Sequence, residues 1–354
     1  MIKSNNNLQK PMTNLSFKPK LVVKKLLASL PERARQVLMS RYGLGTDSRK
    51  QTLEAIGDKY GITRERVRQI ENAGITNIRK SQAFKSESAV FDEIKKLFEV
   101  LGGVISEEDF LNHITTKDKS LQNHVHFLLV VGTHFKKIKE NDEFKHRWHI
   151  SDDLTKKVEE SLRKVYRNLS DDDLLPEAEL MKSFLEHLKD VSEEYKKEEI
   201  LRRWLSLSKR IARNPLGEWG VTASKNVSVK GIRDYAYLAI RKHGSPIHFK
   251  EVARSISQMF NKKAHMATTH NELIKDKRFV LVGRGLYALS EWGYISGVVK
   301  DVITKVLEKN GPLTKEEIIE KVLKERYVKK NTILVNLQNV KAFKKDKDNR
   351  YSIA

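Results

Sequence analysis

Around Val67 and Ile70 stand Arg64, Glu65, Arg66, Arg68 and Gln69, in the unbroken run TRERVRQIE that begins at Thr63. These polar types suit the edges of base pairs. Arginine's planar fork matches guanine O6 and N7, glutamine pairs with adenine, and glutamate accepts from the cytosine amino group. On a helix, Val67 and Ile70 face inward. Arg64, Glu65 and Gln69 then point to bases, and Arg66 and Arg68, on other sides, to phosphates. Thr63 is the expected N-cap and also lies within reach of a phosphate. Arg79 and Lys80 continue past this segment toward the DNA backbone. The plain alternative is a solvated basic helix in a protein-binding module. Charge alone does not explain a glutamate and a glutamine at these two places.

Such a helix must be held at a fixed angle by another. Leu53 and Ile56 are apolar, Gly57 is small where two helices would cross, and Tyr60 closes the first helix. Gly61 sits where the corner needs a left-handed or closely approached backbone. Ile62 follows, and Thr52 is the expected cap of the first helix. Neither threonine has the acid three residues on that completes a capping box, since Ala55 and Arg66 stand there. The whole reads as a helix-turn-helix.

LPERARQVLMSRYGLG (Leu30 to Gly45), followed by TLEAIGDKYGITRERVRQIENAGITNIRK (Thr52 to Lys80), resembles region 4 of bacterial primary sigma factors. The resemblance implies recognition of a −35-type promoter element, with Arg64, Glu65 and Gln69 at the base-reading positions. It also implies contact with the flap of RNA polymerase, for which Leu30, Val37, Leu38 and Tyr42 are the candidates. Packing beneath the helix-turn-helix is the other use for these four, and the sequence leaves both open. No counterpart of sigma region 2, the part that melts promoter DNA, is read in this sequence.

The chain carries 68 Lys and Arg against 46 Asp and Glu, for +22. Such an excess suits a polyanionic partner. Residues 1–87 hold 18 basic and 7 acidic side chains, 18 − 7 = +11, so half the excess surrounds the helix-turn-helix. The absence of cysteine excludes disulfides and thiolate metal sites and fits a reducing cytoplasm. No apolar run is long enough for a membrane span.

From residue 88 a pattern recurs four times. Amphipathic helices are marked by Val90, Ile94, Leu97 and Leu101; by Leu154, Val158, Leu162, Val165 and Leu169; by Ile232, Tyr235 and Ala239; and by Val299, Val302, Ile303 and Val306. A turn then leads to Ile105, Leu175, Ile247 or Leu313, spaced 70, 72 and 66 residues apart, and to another helix. Pro176 and Thr314 suit its first turn or cap. Each repeat ends on an aromatic-x-aliphatic strand beginning at Trp148, Trp219, Tyr287 or Tyr351. A second short strand precedes it, beginning near Phe135, Ile211, Phe279 or Phe343. Three helices and a two-stranded hairpin make a winged helix.

SPIHFKEVARSISQMF and the tail FVLVGRGLYALSEWG, within Ser245 to Tyr294, are similar to HARE-type helix-turn-helix domains. That group includes the N-terminal domain of the RNA polymerase delta subunit, and the likeness implies a winged helix that contacts DNA or protein. The expected fold is therefore mainly α: a helix-turn-helix domain followed by four tandem winged-helix (α+β) repeats. The expected boundaries are a flexible basic arm at 1–19, the helix-turn-helix at 20–85, and repeats at 88–152, 153–224, 225–294 (HARE-type) and 295–354.

Within the repeats, Arg202, Arg203, Lys209, Arg210 and Arg213, and again Lys329, Lys330, Lys341, Lys344 and Lys345, cluster where winged helices meet phosphate. Solvated charge is the alternative. His124 with His126, and His146 with His149, face different ways, so no metal is expected. The Glu93-Ile94-Lys95 string belongs to an amphipathic helix, and no nucleophile elbow or HExxH occurs, so no catalysis and no cofactor are expected. The expected partners are double-stranded DNA and RNA polymerase, in the cytoplasm on the nucleoid. A sigma-like subunit with a melting partner, and a polymerase-bound scaffold, are the alternatives.

Overall fold

The computed structural model describes residues 15–354, so residues 1–14 of the predicted arm at 1–19 lie outside the described residues, while Leu15 and Phe17 pack against a core and Pro19 begins a helix, which corrects the arm at 15–19. Helix α1 (Pro19–Ala28) starts with proline in its first turn, where the missing amide costs no hydrogen bond. It buries Val22, Val23, Leu26 and Leu27. Helices α2 (Glu32–Tyr42), α3 (Leu53–Tyr60), α4 (Arg64–Lys80) and α5 (Gln82–Ser86) follow.

Of the four segments expected as repeats, the first comprises α6 (Ser88–Val100), β1 (Val104–Ser106), α7 (Glu107–Ile114), α8 (Lys119–Val131), β2 (Lys136–Ile138) and β3 (Arg147–His149). The second comprises α9 (Asp152–Arg167), α10 (Glu177–Glu186), α11 (Glu198–Leu205), β4 (Ile211–Arg213) and β5 (Trp219–Val221). The third comprises α12 (Ile232–His243), β6 (Ile247–His248), α13 (Phe249–Phe260), α14 (Met266–Lys275), β7 (Phe279–Gly283) and β8 (Leu286–Leu289). The fourth comprises α15 (Val299–Asn310), β9 (Leu313–Thr314), α16 (Lys315–Glu325), α17 (Lys330–Leu337), β10 (Phe343–Lys345) and β11 (Arg350–Ile353). The chain is thus mostly helical, with small sheets.

Two compact units result. One runs to Ser170 and takes in Leu175–Ala212; the other holds Asp171–Leu174 and Arg213–Ala354. The division falls inside the second repeat.

The lead-in aliphatic residue has a role that its sequence setting conceals. In repeats one, three and four it lies on a strand that pairs antiparallel with the final strand. Ile105 stands opposite Trp148, Ile247 opposite Tyr287, and Leu313 opposite Tyr351. Each sheet is therefore three-stranded, with the aromatic strand in the middle. An aromatic beside an aliphatic side chain is a favourable cross-strand pair. Its recurrence explains why the two marks keep step along the sequence. The strand runs straight into the next helix. Ser106 accepts from the Asp109 amide at 3.0 Å, and Thr314 and Glu317 complete a capping box.

In the first unit, helices α1, α2 and α4 share one core with the first repeat. Leu26, Leu30, Leu38 and Ile78 pack in the same cluster as Phe91, Phe98, Phe110 and Phe127. Helix α8 makes this possible, because Gln122 through Leu129 and Val131 are all buried. Full burial of one such apolar side chain is worth about 1.5–3 kcal/mol. Asn123 donates to the Gly43 and Ser48 carbonyls at 3.0 and 2.8 Å and fixes the α2–α3 loop to α8. Histidines 124 and 126 are buried on the same helix. Among the described residues, no three His, Asp or Glu side chains gather as metal ligands.

Neighbouring repeats are joined through their hairpins. In the first unit, Phe144 bridges Ser208, and the Lys145 amide donates to the Leu207 carbonyl at 3.0 Å. The Trp204 indole donates to the Gly102 carbonyl at 3.1 Å. In the second unit, the Tyr327 amide donates to the Val282 carbonyl at 2.7 Å and extends the β7 edge in parallel. No helix among the described residues is long and apolar enough to cross a membrane.

Candidate nucleic-acid interface

Helices α3 and α4 meet over Val37, Ile56 and Val67, with Leu53, Tyr60, Ile62 and Ile70 around them. All three central residues are fully buried. Gly57 stands at the crossing. A β-carbon there would lie 2.5 Å from the Ile62 carbonyl oxygen, so only glycine lets the turn come this close. Gly61 ends α3 with φ 63° and ψ 36°, the left-handed conformation the corner requires. Thr52 accepts from the Ala55 amide at 3.1 Å, and Thr63 from the Arg66 amide at 3.2 Å. Both caps thus serve the orphan amides of a helix start.

The first turn and a half of α4 presents Arg64, Glu65, Arg66, Arg68 and Gln69 to solvent. Successive residues turn by about 100°, so Glu65 and Gln69 share the outermost line. Arg64 and Arg68 flank it on one side, and Arg66 on the other. Exposed Asn72 continues the Glu65–Gln69 line one turn on. The sequence reading omitted it, although its spacing from Glu65 and Gln69 was the available sign.

These side chains are partly paired with one another. The Arg68 guanidinium meets the Glu65 carboxylate at 2.6 and 2.9 Å. This hydrogen bond, ahead of the attraction itself, holds the Glu65 carboxyl below its ordinary range. Arg66 donates to the Gln69 amide oxygen at 3.0 Å. Arg64 has no hydrogen bond or ion pair with another described residue. Two arginine–acceptor pairs and one unpaired arginine therefore stand on a rigid helix. Such groups exchange protein partners for base edges and phosphates at small cost, because exposed pairs of this kind are worth little.

Several of the predicted residues also have partners within the protein or are buried. Arg79 is exposed but tethered to the protein. It donates to the Val131 carbonyl through Nε and to the Val130 carbonyl through its terminal nitrogen, both at 2.9 Å, and closes the end of α8. Carbonyls left open at a helix end attract a cation, which is why it turns there. Lys80 stays exposed, and both residues lie in the last turn of α4 rather than past it. Leu30, Val37, Leu38 and Tyr42, candidates for polymerase contact, are all buried. Their helical spacing reflects the inward face of α2 and its approach. The Tyr42 hydroxyl donates to Glu71 at 2.7 Å, and Arg41 lies 3.6 Å from the same carboxylate. Burial, then Glu71, drives the Tyr42 hydroxyl far above its usual range, so it stays protonated.

A second polar cluster locks the α2–α3 loop to the first repeat. Glu107 accepts from the Trp148 indole at 2.8 Å and pairs with Lys137 at 2.5 Å and with His126 at 3.4 Å. Lys50 reaches the other nitrogen of His126 at 3.5 Å. Burial opposes ionisation of Glu107, but these partners outweigh it and hold the carboxyl well below its usual range. Burial also lowers His126, with Glu107 opposing.

Comparison with known proteins places this geometry in a class. Residues 26–80 match the family described as Sigma-70, region 4, and form a domain of that type. Over 63 residues the chain is 43% identical to RNA polymerase sigma factor RpoD of Helicobacter pylori, covering 18% of this chain and 9% of that protein. Over 57 residues it is 49% identical to RNA polymerase sigma factor SigA of Nostoc, covering 16% and 14%. It is 46% identical to RNA polymerase sigma factor RpoS of Coxiella burnetii over 57 residues, covering 16% of each. The chain thus spans a small part of the length of these relatives.

Proposed function

We propose that the protein is a sequence-specific duplex-DNA-binding transcription protein that reads a promoter-like, −35-type element with α4 and associates with RNA polymerase in the cytoplasm, on the nucleoid. Arg64, Glu65 and Gln69 contact bases, and Thr63, Arg66, Arg68 and Lys80 contact phosphates. One observation carries the reading: an outward face of base-reading types, on a helix buried at Val67, inside the region that matches sigma region 4. The four repeats are winged helices, the third HARE-like, that extend the footprint or hold polymerase. The mechanism is binding alone: cations displace counterions, and α4 chooses the sequence.

A second reading is a sigma-like subunit that works with a partner able to melt DNA. The names of the relatives, and the restriction of the match to one region, favour it. Competition binding tests the base contacts. Arg64→Ala with Gln69→Ala should bring selected and scrambled duplexes to equal affinity while both complexes stay salt-sensitive. Retained discrimination would overturn the assignment. Adding polymerase core, a promoter duplex and the melting partner separates the two readings, since only under the second does opening of the DNA depend on this chain.

A further inference from the structure

The four repeats share a layout but do not leave the same surfaces open. In the first, the third helix, α8, is buried along nearly its whole length. In the second, the third helix, α11, turns Glu198 and Glu199 outward. Its arginines are paired, Arg202 with Glu177 at 2.5 Å and Glu198 at 3.3 Å, and Arg203 with Glu199 at 3.8 Å. In the third, α14 is open, but the outer edge of its hairpin takes the main chain of Tyr327.

The fourth differs on both counts. Helix α17 buries Ile333 and Leu337 in the same core as Phe343. Its other face shows Lys330, Asn331, Thr332 and Val335, with Gln338 just beyond, and no acid. Val335 is 65% exposed. Strand β10 is the edge of its sheet, in the order β10-β11-β9. From Lys329 to Arg350 the chain has seven basic and two acidic side chains, 7 − 2 = +5. All seven are exposed, and none forms an ion pair with another described residue.

We propose that this face, made of α17 and the β10–β11 hairpin, is a second duplex-DNA surface, with Lys344, Lys345 and Lys347 on the phosphates. The proposal rests on the reading of α4 only for the choice of DNA as the polyanion. The chemistry on the page favours nucleic acid over a protein partner. Unpaired lysines line a hairpin, and the adjoining helix carries amide, hydroxyl and methyl groups without carboxylates. Phosphates release counterions to such lysines, while thymine methyls suit Val335 and adenine suits Asn331 or Gln338.

The test uses the full chain and a mixed-sequence DNA duplex, with affinity followed against salt. Each phosphate contact adds about 0.9 to the slope of log affinity on log salt. Lys344→Ala, Lys345→Ala and Lys347→Ala together should flatten that slope by about 2.7, so that between about 50 and 200 mM salt the variant loses roughly 40-fold less affinity than the parent. Lys329→Ala with Lys330→Ala should flatten it by about 1.8. Lys309→Ala with Lys324→Ala, which removes equal charge elsewhere in the repeat, should change nothing. A wild-type slope in the hairpin variant, or equal flattening in the control, overturns the proposal. Sequence preference is read in the same samples. Its loss in the α4 variant but not in the hairpin variants shows that the two surfaces act separately, so either can fail alone.

Discussion

Gly57→Ala puts a β-carbon at the point where α3 meets the turn. That atom would sit 2.5 Å from the Ile62 carbonyl oxygen, against 3.4 Å for the start of ordinary contact, so 3.4 − 2.5 = 0.9 Å must be found. Both sides are backbone, and no side-chain rotation relieves them. Overpacking of this kind costs about 1–3 kcal/mol, and alanine's better helix propensity returns about 1 kcal/mol. Because the clash is backbone on backbone, the cost lies at the upper end, and we expect a net loss of about 3 − 1 = 2 kcal/mol in local stability, a factor of about 30. Hydrogen exchange at the α3 and α4 amides reads this directly. DNA affinity should fall with it, because the turn sets where α4 stands. Gly61→Ala is the contrast: nothing lies within 4 Å of its β-carbon, so only the left-handed backbone is strained. That strain costs about 1–2 kcal/mol but leaves the crossing in place. Gly57→Ala with parental exchange and parental affinity would refute the reasoning.

Glu65→Gln frees Arg68 from its pair, and since Arg68 already meets a phosphate in the parent complex, the salt dependence of non-specific binding should stay unchanged. The substitution should remove selectivity at one base pair, as competing duplexes would show. Tyr42→Phe strips the donor from buried Glu71, and denaturant titration should show a loss of about 1–3 kcal/mol. Tyr42→Phe combined with Glu71→Gln should cost less than the sum of the two, since each removes the other's partner. Burial holds His126 below its ordinary value of about 6.5 in the folded chain, so the unfolded chain takes up the proton more readily as the pH falls through that value. Stability should therefore fall as pH drops below about 6.5. His126→Gln should flatten that window in thermal melts at several pH values. Glu107 acts separately, because its contribution is lost only at more acidic pH.

The helix-turn-helix was legible because its constraints are local. Gly57, Gly61, Thr52 and Thr63 each answer to a neighbour within five residues, and Val67 repeats at helical spacing. The hairpins were legible from the aromatic-x-aliphatic ends. The third strand was not, because Ile247 and Leu313 lie on strands of two residues, too short to show alternation. The fate of Arg79 was hidden for another reason: its acceptors, Val130 and Val131, lie more than 50 residues away in sequence. Leu30, Val37, Leu38 and Tyr42 show the limit of periodicity. An inward stripe and a docking groove have the same spacing, and only burial separates them. The Arg202–Glu177 pair was equally invisible, its members 25 positions apart, whereas Glu198–Arg202 and Glu199–Arg203 stand four apart on α11 and were open to a sequence reading.

Selection of double-stranded oligonucleotides from a random pool by the full chain tests the central claim most directly. The account predicts enrichment of one motif, lost when Arg64 and Gln69 become alanine while general affinity for duplex survives. A pool that stays random, or a motif unaffected by those substitutions, would contradict it.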